Sequence, residues 1–125
     1  MKGVADPRTI VLVEDDDGIR ETMAALLEDE GYRVMSAANG EEGLAALRAT
    51  GDPCLVLLDL WMPVMNGWQM LEAMRRDPGL CKVPVVVISA AGDLPPPRGA
   101  AAFLRKPIRL ETLLENVNQY RLRAS

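Results

Sequence analysis

The chain contains no histidine, which excludes Ser-His-Asp catalysis, histidine metal ligands and service as a phosphohistidine carrier. Its two cysteines, Cys54 and Cys81, stand alone without metal-site spacing. Cys54 opens an apolar run and reads as a small buried hydrophobe, whereas Cys81 falls in an expected loop with no evident role. Aromatic residues make up only 4 % of the 125 residues, so the core must be aliphatic, built from Val, Leu, Ile, Ala and Met. Basic residues are too scattered for a nucleic-acid surface: the formal net charge is −4, and the one modest grouping is Arg98, Arg105, Lys106 and Arg109. No run is apolar and long enough for a membrane span, and no signal peptide is evident, so the cytoplasm is the expected compartment. What remains is an ordinary globular composition, 49 % hydrophobic and 26 % charged, at a length that suits one domain with one core.

Three short apolar runs stand out: Thr9 to Val13, Cys54 to Leu58 and Val85 to Ile88. Continuous apolar runs bounded by polar residues suit strands covered on both faces, as in a parallel sheet. Arg33 to Ala37 and Ala101 to Leu104 are weaker strand candidates. Between the strands lie helical patterns. Ile19, Met23, Leu26 and Leu27 recur at helical spacing, with Gly31 as the stop. Asn39 is placed to cap a helix from Gly40 to about Ala49, ended by Gly51. Trp68, Leu71 and Met74 line a third helix that Asp77-Pro78-Gly79 terminates, and Leu110, Leu113, Leu114 and Val117 mark a last one reaching about Tyr120. Strand and helix alternate, which implies right-handed crossovers and an α/β fold with a doubly wound, five-stranded parallel sheet. In such folds the functional crevice lies at the carboxyl ends of the strands.

The first strand is followed by Glu14, Asp15, Asp16 and Asp17; the third ends in Asp59, the fourth in Ser89, and Lys106-Pro107 follows the fifth. Clustered carboxylates repel one another unless a cation neutralises them, and an oxygen-rich site with room for water suits Mg²⁺. Lys106 can set a point charge on a phosphoryl oxygen, and Ser89 can donate a hydrogen bond to another. Asp59 would then have what a carboxylate nucleophile requires, a metal and a lysine to screen the incoming negative charge. Each residue alone has a plain structural explanation. Asp16 and Asp17 suit a helix N-terminus, Asp59 suits a turn, and neither Ser89 nor Lys106 is informative by itself. Their joint occurrence at successive strand ends is the distinguishing feature.

These segments resemble the receiver domain of two-component response regulators, the CheY-like superfamily. The match runs through Val11-Leu12-Val13-Glu14-Asp15-Asp16, the stretch from Leu57 to Gly67 with Met62-Pro63 in place, Val87-Ile88-Ser89-Ala90 and Phe103-Leu104-Arg105-Lys106-Pro107. It covers about Thr9 to Tyr120 and treats residues 1–125 as one receiver domain with short tails. The resemblance implies a flavodoxin-like strand order 2-1-3-4-5. It implies that Asp59 is the phosphoacceptor and that Glu14, Asp15 and Asp59, with the backbone carbonyl of Trp61, bind Mg²⁺. Asp15 would be the more direct ligand and Glu14 would act through water. Ser89 and Lys106 would contact phosphoryl oxygens, Phe103 would occupy an aromatic switch position, and Lys106-Pro107 would be a cis peptide. The implied partners are a sensor histidine kinase or histidine phosphotransfer protein upstream and an unidentified protein downstream, with no direct contact to nucleic acid or membrane. The chain would be a regulatory domain that assists only its own phosphorylation and dephosphorylation, not an enzyme acting on other substrates.

Ser89 and Lys106 are closer in sequence than is usual for that family, and the shortfall falls where a fourth helix belongs. Pro95, Pro96 and Pro97 cannot lie inside an α-helix, so that helix is expected to be shortened or missing, with the prolines extended. The segment is either a tolerated deletion or a rebuilt surface that a partner recognises. Trp61, beside the acceptor, would either pack on the surface or hinder water from attacking a phosphoryl group. A haloacid-dehalogenase-type phosphatase also uses an aspartyl nucleophile and Mg²⁺, but it needs a second acid where this chain has Trp61. A phosphorylation-independent pseudo-receiver of the same fold is the remaining alternative.

Overall fold

The computed structural model describes residues 9–50, 53, 55–90 and 98–124, with side chains through 120. Among these residues there are five strands and four helices. They are β1 (Thr9–Val13), α1 (Asp17–Asp29), β2 (Arg33–Ala37), α2 (Gly40–Thr50), β3 (Leu55–Asp59), α3 (Gly67–Arg75), β4 (Val85–Ser89), β5 (Ala102–Arg105) and α4 (Leu110–Ala124). All pairings are parallel and the strand order is β2-β1-β3-β4-β5. The expected doubly wound sheet is therefore present. Order reverses at β1, with β2 on one side and β3 on the other, and this is the switch point at which α/β sheets open a crevice.

Every residue of β1, β3 and β4 is buried, as the unbroken apolar runs require. Their side chains alternate between two cores. Val11, Val13, Val56, Leu58, Val85 and Val87 face α2 and α3, where Leu44, Leu47, Met70, Leu71 and Met74 meet them. Ile10, Leu12, Leu55, Leu57, Val86 and Ile88 face α1 and α4, against Met23, Leu27, Leu113, Val117 and Tyr120. Each fully buried Val or Leu contributes about 1.5–3 kcal/mol, so the three central strands carry much of the fold's stability and hold their ends in place.

Helix ends follow local chemistry. Asp16 caps α1 by accepting from the Ile19 amide, which starts that helix earlier than its apolar periodicity alone indicates. Gly31, at φ 95°, turns the chain out of α1 in the left-handed region that glycine tolerates. Asn39 accepts from the Glu42 amide at 2.9 Å, as expected of the α2 cap. Asn66 and Gln69 form a reciprocal capping box on α3. β5 begins one residue later than expected, and α4 runs on to Ala124. The Lys106–Pro107 peptide is cis.

Among the described residues no helix joins β4 to β5; Arg98 and Gly99 form a turn that leads into β5. The expectation of an extended Pro95–Pro97 segment concerns residues outside those described, as does the expected burial of Cys54. Cys81 is exposed in the α3–β4 connection.

Candidate functional site

Parallel register places the strand ends side by side: Val13 lies opposite Leu58, and Asp59 opposite Ile88. The next residue after β1, Glu14, continues the ladder through its amide to the Ala37 carbonyl at 3.0 Å. Glu14 and Asp59 therefore emerge on neighbouring strands at the same height. Lys106 is anchored in the same way, its amide donating to the Ser89 carbonyl at 2.8 Å. Gly67 is required just beyond. A Cβ there would lie 2.6 Å from the Asp59 carbonyl oxygen and 2.8 Å from Leu60 Cα, so only glycine lets α3 start this close to the end of β3.

The result is an open pocket of about 620 Å³ lined by Glu14, Asp15, Asp16, Asp17, Ile19, Asp59, Trp61, Ala90 and Lys106. Carboxylate oxygens of Glu14, Asp15 and Asp59 lie within 4.8 Å of one another; Glu14 and Asp59 are buried, whereas Asp15 is exposed. Lys106 Nζ is 3.3 Å from Asp59 Oδ1 and 3.5 Å from Glu14 Oε1. Glu14 also accepts the Asp16 amide at 3.2 Å. Burial raises the Asp59 carboxyl above the ordinary aspartate range; Lys106 opposes the shift and Asp15 adds to it. Glu14 is likewise raised, first by burial and then by Asp59, against a lowering hydrogen bond from the Asp16 amide. For Lys106, burial pulls downward, yet the carboxylates of Asp59 and Glu14 outweigh it and the ammonium is held above its usual range. Three carboxylates against one ammonium leave surplus negative charge in a partly desolvated space, an arrangement that a divalent cation relieves.

The sequence-predicted residues do not all meet in the pocket wall. Glu14, Asp15, Asp59, Trp61 and Lys106 do. Ser89 is fully buried at the end of β4, and its Oγ has no hydrogen-bond partner among the described residues. Phe103, opposite Val87 on β5, packs half-buried against the core beneath α2 and α3. Asp16 and Asp17 serve the start of α1, as their ordinary explanation held. Trp61 is 58 % exposed at the pocket edge and meets Trp68 edge-on, with ring centroids 4.7 Å apart.

Two features escaped the sequence reading. Arg20, with a side chain only 16 % exposed, donates through Nη1 to the Glu14 carbonyl at 2.8 Å and through Nη2 to Asp17. The available signal was a cation in the opening turns of a helix, where the dipole disfavours it and an acidic partner is needed. The second is Val64, a β-branched residue at φ 68° in the loop between Asp59 and α3. No sequence pattern flags it.

Fold and site define a class: a doubly wound α/β domain with an acidic, lysine-bearing pocket at its switch point. The sequence profile of the response regulator receiver domain matches residues 10–118. The chain is 36 % identical over 123 residues to response regulator Rre1 of Synechocystis, covering 91 % of this chain and 53 % of that protein. It is 32 % identical over 114 residues to protein PilH of Pseudomonas aeruginosa, covering 87 % and 93 % of the two chains. The chain thus spans about half of the first relative and nearly all of the second. Among solved structures, the receiver domain of a signal transduction histidine kinase from Syntrophus aciditrophicus superposes with a TM-score of 0.79 at 28 % identity, over 91 % of this chain and 89 % of that one. The chain belongs to the response regulator receiver family, and its role is that of a regulatory receiver domain in two-component signalling. Among the described residues no helix is long and apolar enough to cross a membrane.

Proposed function

We propose that Asp59 accepts a phosphoryl group from a phosphohistidine, carried by a sensor kinase or phosphotransfer protein, with Mg²⁺ as cofactor. The observation that supports this most is a buried aspartate facing an open pocket, 3.3 Å from a lysine and within 4.8 Å of two further carboxylates. The donor set fits Mg²⁺: all oxygen, surplus in negative charge and open enough to leave water in place. Glu14, Asp15 and Asp59 would hold the ion together with the Trp61 backbone carbonyl, and it would supply positive charge to screen the phosphoryl oxygens.

An Asp59 carboxylate oxygen attacks phosphorus in line. The new O–P bond forms as the donor's N–P bond breaks, and that bond's electron pair leaves on the imidazole, which then takes a proton from solvent. The Lys106 ammonium, already drawn toward Asp59, follows the charge onto a phosphoryl oxygen. Ser89 holds a buried hydroxyl without a partner, and an unmet donor of this kind costs about 1–3 kcal/mol. Movement of Ser89 toward a phosphoryl oxygen would meet that need, and Phe103 on the neighbouring β5 would carry the shift to the surface around that strand. The phosphoryl group brings roughly −1.5 to −2 charge to a pocket that is already acidic, which is what makes it a switch. Trp61 at the pocket edge would shield the group from attacking water. Beside the pocket, an apolar depression of about 530 Å³, lined by Ile19, Met23, Leu26, Pro107, Ile108 and Leu110 among others, would seat the apolar surface of the donor. Turnover would be limited to the chain's own phosphorylation and dephosphorylation. A phosphorylation-independent interaction module has no feature of the site in its favour, since each expected position holds a competent residue.

The test is intact mass after incubation with acetyl phosphate, with and without Mg²⁺, for the wild-type protein and Asp59→Asn. One adduct that requires both Mg²⁺ and Asp59 is expected. An adduct that persists in Asp59→Asn would overturn the assignment.

A further inference from the structure

We infer, on the basis of the cation-binding role proposed above, that Arg20 is a positioning residue that sets the cation pocket by clamping the β1–α1 turn. Asp15 is the exposed carboxylate of the three, so packing holds it less than it holds the buried Glu14 and Asp59. Its reach into the pocket is therefore set by the main chain of residues 14–16. Arg20 grips that main chain directly. Nη1 holds the Glu14 carbonyl and Nη2 holds the side chain of Asp17 at the start of α1. One planar guanidinium thus ties the last residue of the β1 ladder to the first turn of α1, with Asp15 between them. A lysine ammonium has no fork with which to hold both acceptors at once. The Arg20 side chain is 16 % exposed and its bond to the Glu14 carbonyl is partly buried, whereas Asp17 is 81 % exposed. The hold on the Glu14 main chain is thus the stronger half of the clamp, and the ion pair with Asp17 the weaker.

Charge and geometry predict opposite signs. Arg20 is a cation close to a cation site, so its removal on charge grounds alone would tighten Mg²⁺ binding. As a clamp, its removal frees Asp15 and Glu14 and weakens binding. Losing an outer partner of a metal site costs about 10–100-fold in affinity, and Arg20 acts through the backbone, so Arg20→Ala is expected near the lower limit, about tenfold.

Mg²⁺ titration followed by the fluorescence of the Trp61–Trp68 pair, with thermal unfolding of each variant in EDTA as the folding control, tests this without any phosphoryl transfer. The expected result is a saturable wild-type response, about tenfold weaker binding in Arg20→Ala, and weakened binding in Arg20→Lys although the charge is kept. A wild-type response with unchanged or tighter binding in Arg20→Ala overturns the clamp and leaves the cation site standing. Should Arg20→Ala not fold, wild-type affinity in Arg20→Lys would overturn it equally. No saturable response in the wild-type protein would remove the cation site and the clamp together.

Discussion

Replacing Asp59 by asparagine should stabilise this protein when no divalent cation is present. Asp59 lies within 4.8 Å of the Glu14 and Asp15 carboxylates, and at the effective dielectric of about 20 that suits such sites each repulsion is roughly 3.5 kcal/mol. The Lys106 ammonium at 3.3 Å returns about 5 kcal/mol by the same relation. Asp15 is exposed and Lys106 is partly so, and screening trims both contributions; the burial of Asp59 adds a cost to its ionised form. The balance is on the order of 1–2 kcal/mol against the aspartate, which asparagine, of nearly the same shape, relieves. For a domain of this size that corresponds to roughly 4–8 °C in Tm. The assay is thermal unfolding in EDTA and again in saturating Mg²⁺. The wild-type protein should gain stability with Mg²⁺ through preferential binding to the folded state, while Asp59→Asn should gain less, so the gap closes. An Asp59→Asn variant less stable than wild type in EDTA, or one that responds to Mg²⁺ as strongly as wild type, would refute the electrostatic account of the pocket.

The same pocket sets a pH dependence. Asp59 and Glu14 titrate above their ordinary values of 3.8 and 4.5 in the folded protein. Between the ordinary and raised values the folded state binds more protons than the unfolded one, so these groups withdraw stability as pH rises. The Tm advantage of Asp59→Asn in EDTA should therefore be absent below the ordinary aspartate range and grow as pH climbs through the raised range; a constant advantage would contradict the assignment. Val64, 73 % exposed at φ 68°, contributes little burial while holding a conformation that a β-branched residue resists. Val64→Gly should raise stability by about 1 kcal/mol in denaturant unfolding, and a loss of stability would show that the loop needs the valine side chain.

Much of this protein was legible in the amino-acid order alone. Unbroken apolar runs at Thr9–Val13, Cys54–Leu58 and Val85–Ile88 call for burial on both faces, and in a chain where strands and helices alternate a parallel sheet provides it. Once the sheet is parallel, every strand's carboxyl end lies at one edge, so Glu14, Asp15, Asp59 and Lys106 had to converge. The helix starts read at Asp16 and Asn39 were equally local, each a side chain meeting an amide three residues on.

Tertiary structure decided the rest, because it depends on distances that no short-range pattern encodes. A run such as Val85-Val86-Val87-Ile88 carries no alternation, and only the packed helices settled that Val85 and Val87 face α2 and α3 while Val86 and Ile88 face α1 and α4. Ser89 ended up behind the pocket wall, with its hydroxyl unpaired. The raised carboxyls of Asp59 and Glu14 arise from burial and mutual repulsion, which exist only once the strands are side by side. The grip of Arg20 on the Glu14 carbonyl likewise required a helix to follow its strand at one particular angle. Sequence specified which chemical groups reach the edge of the sheet, and packing specified how close they stand and what charge they carry.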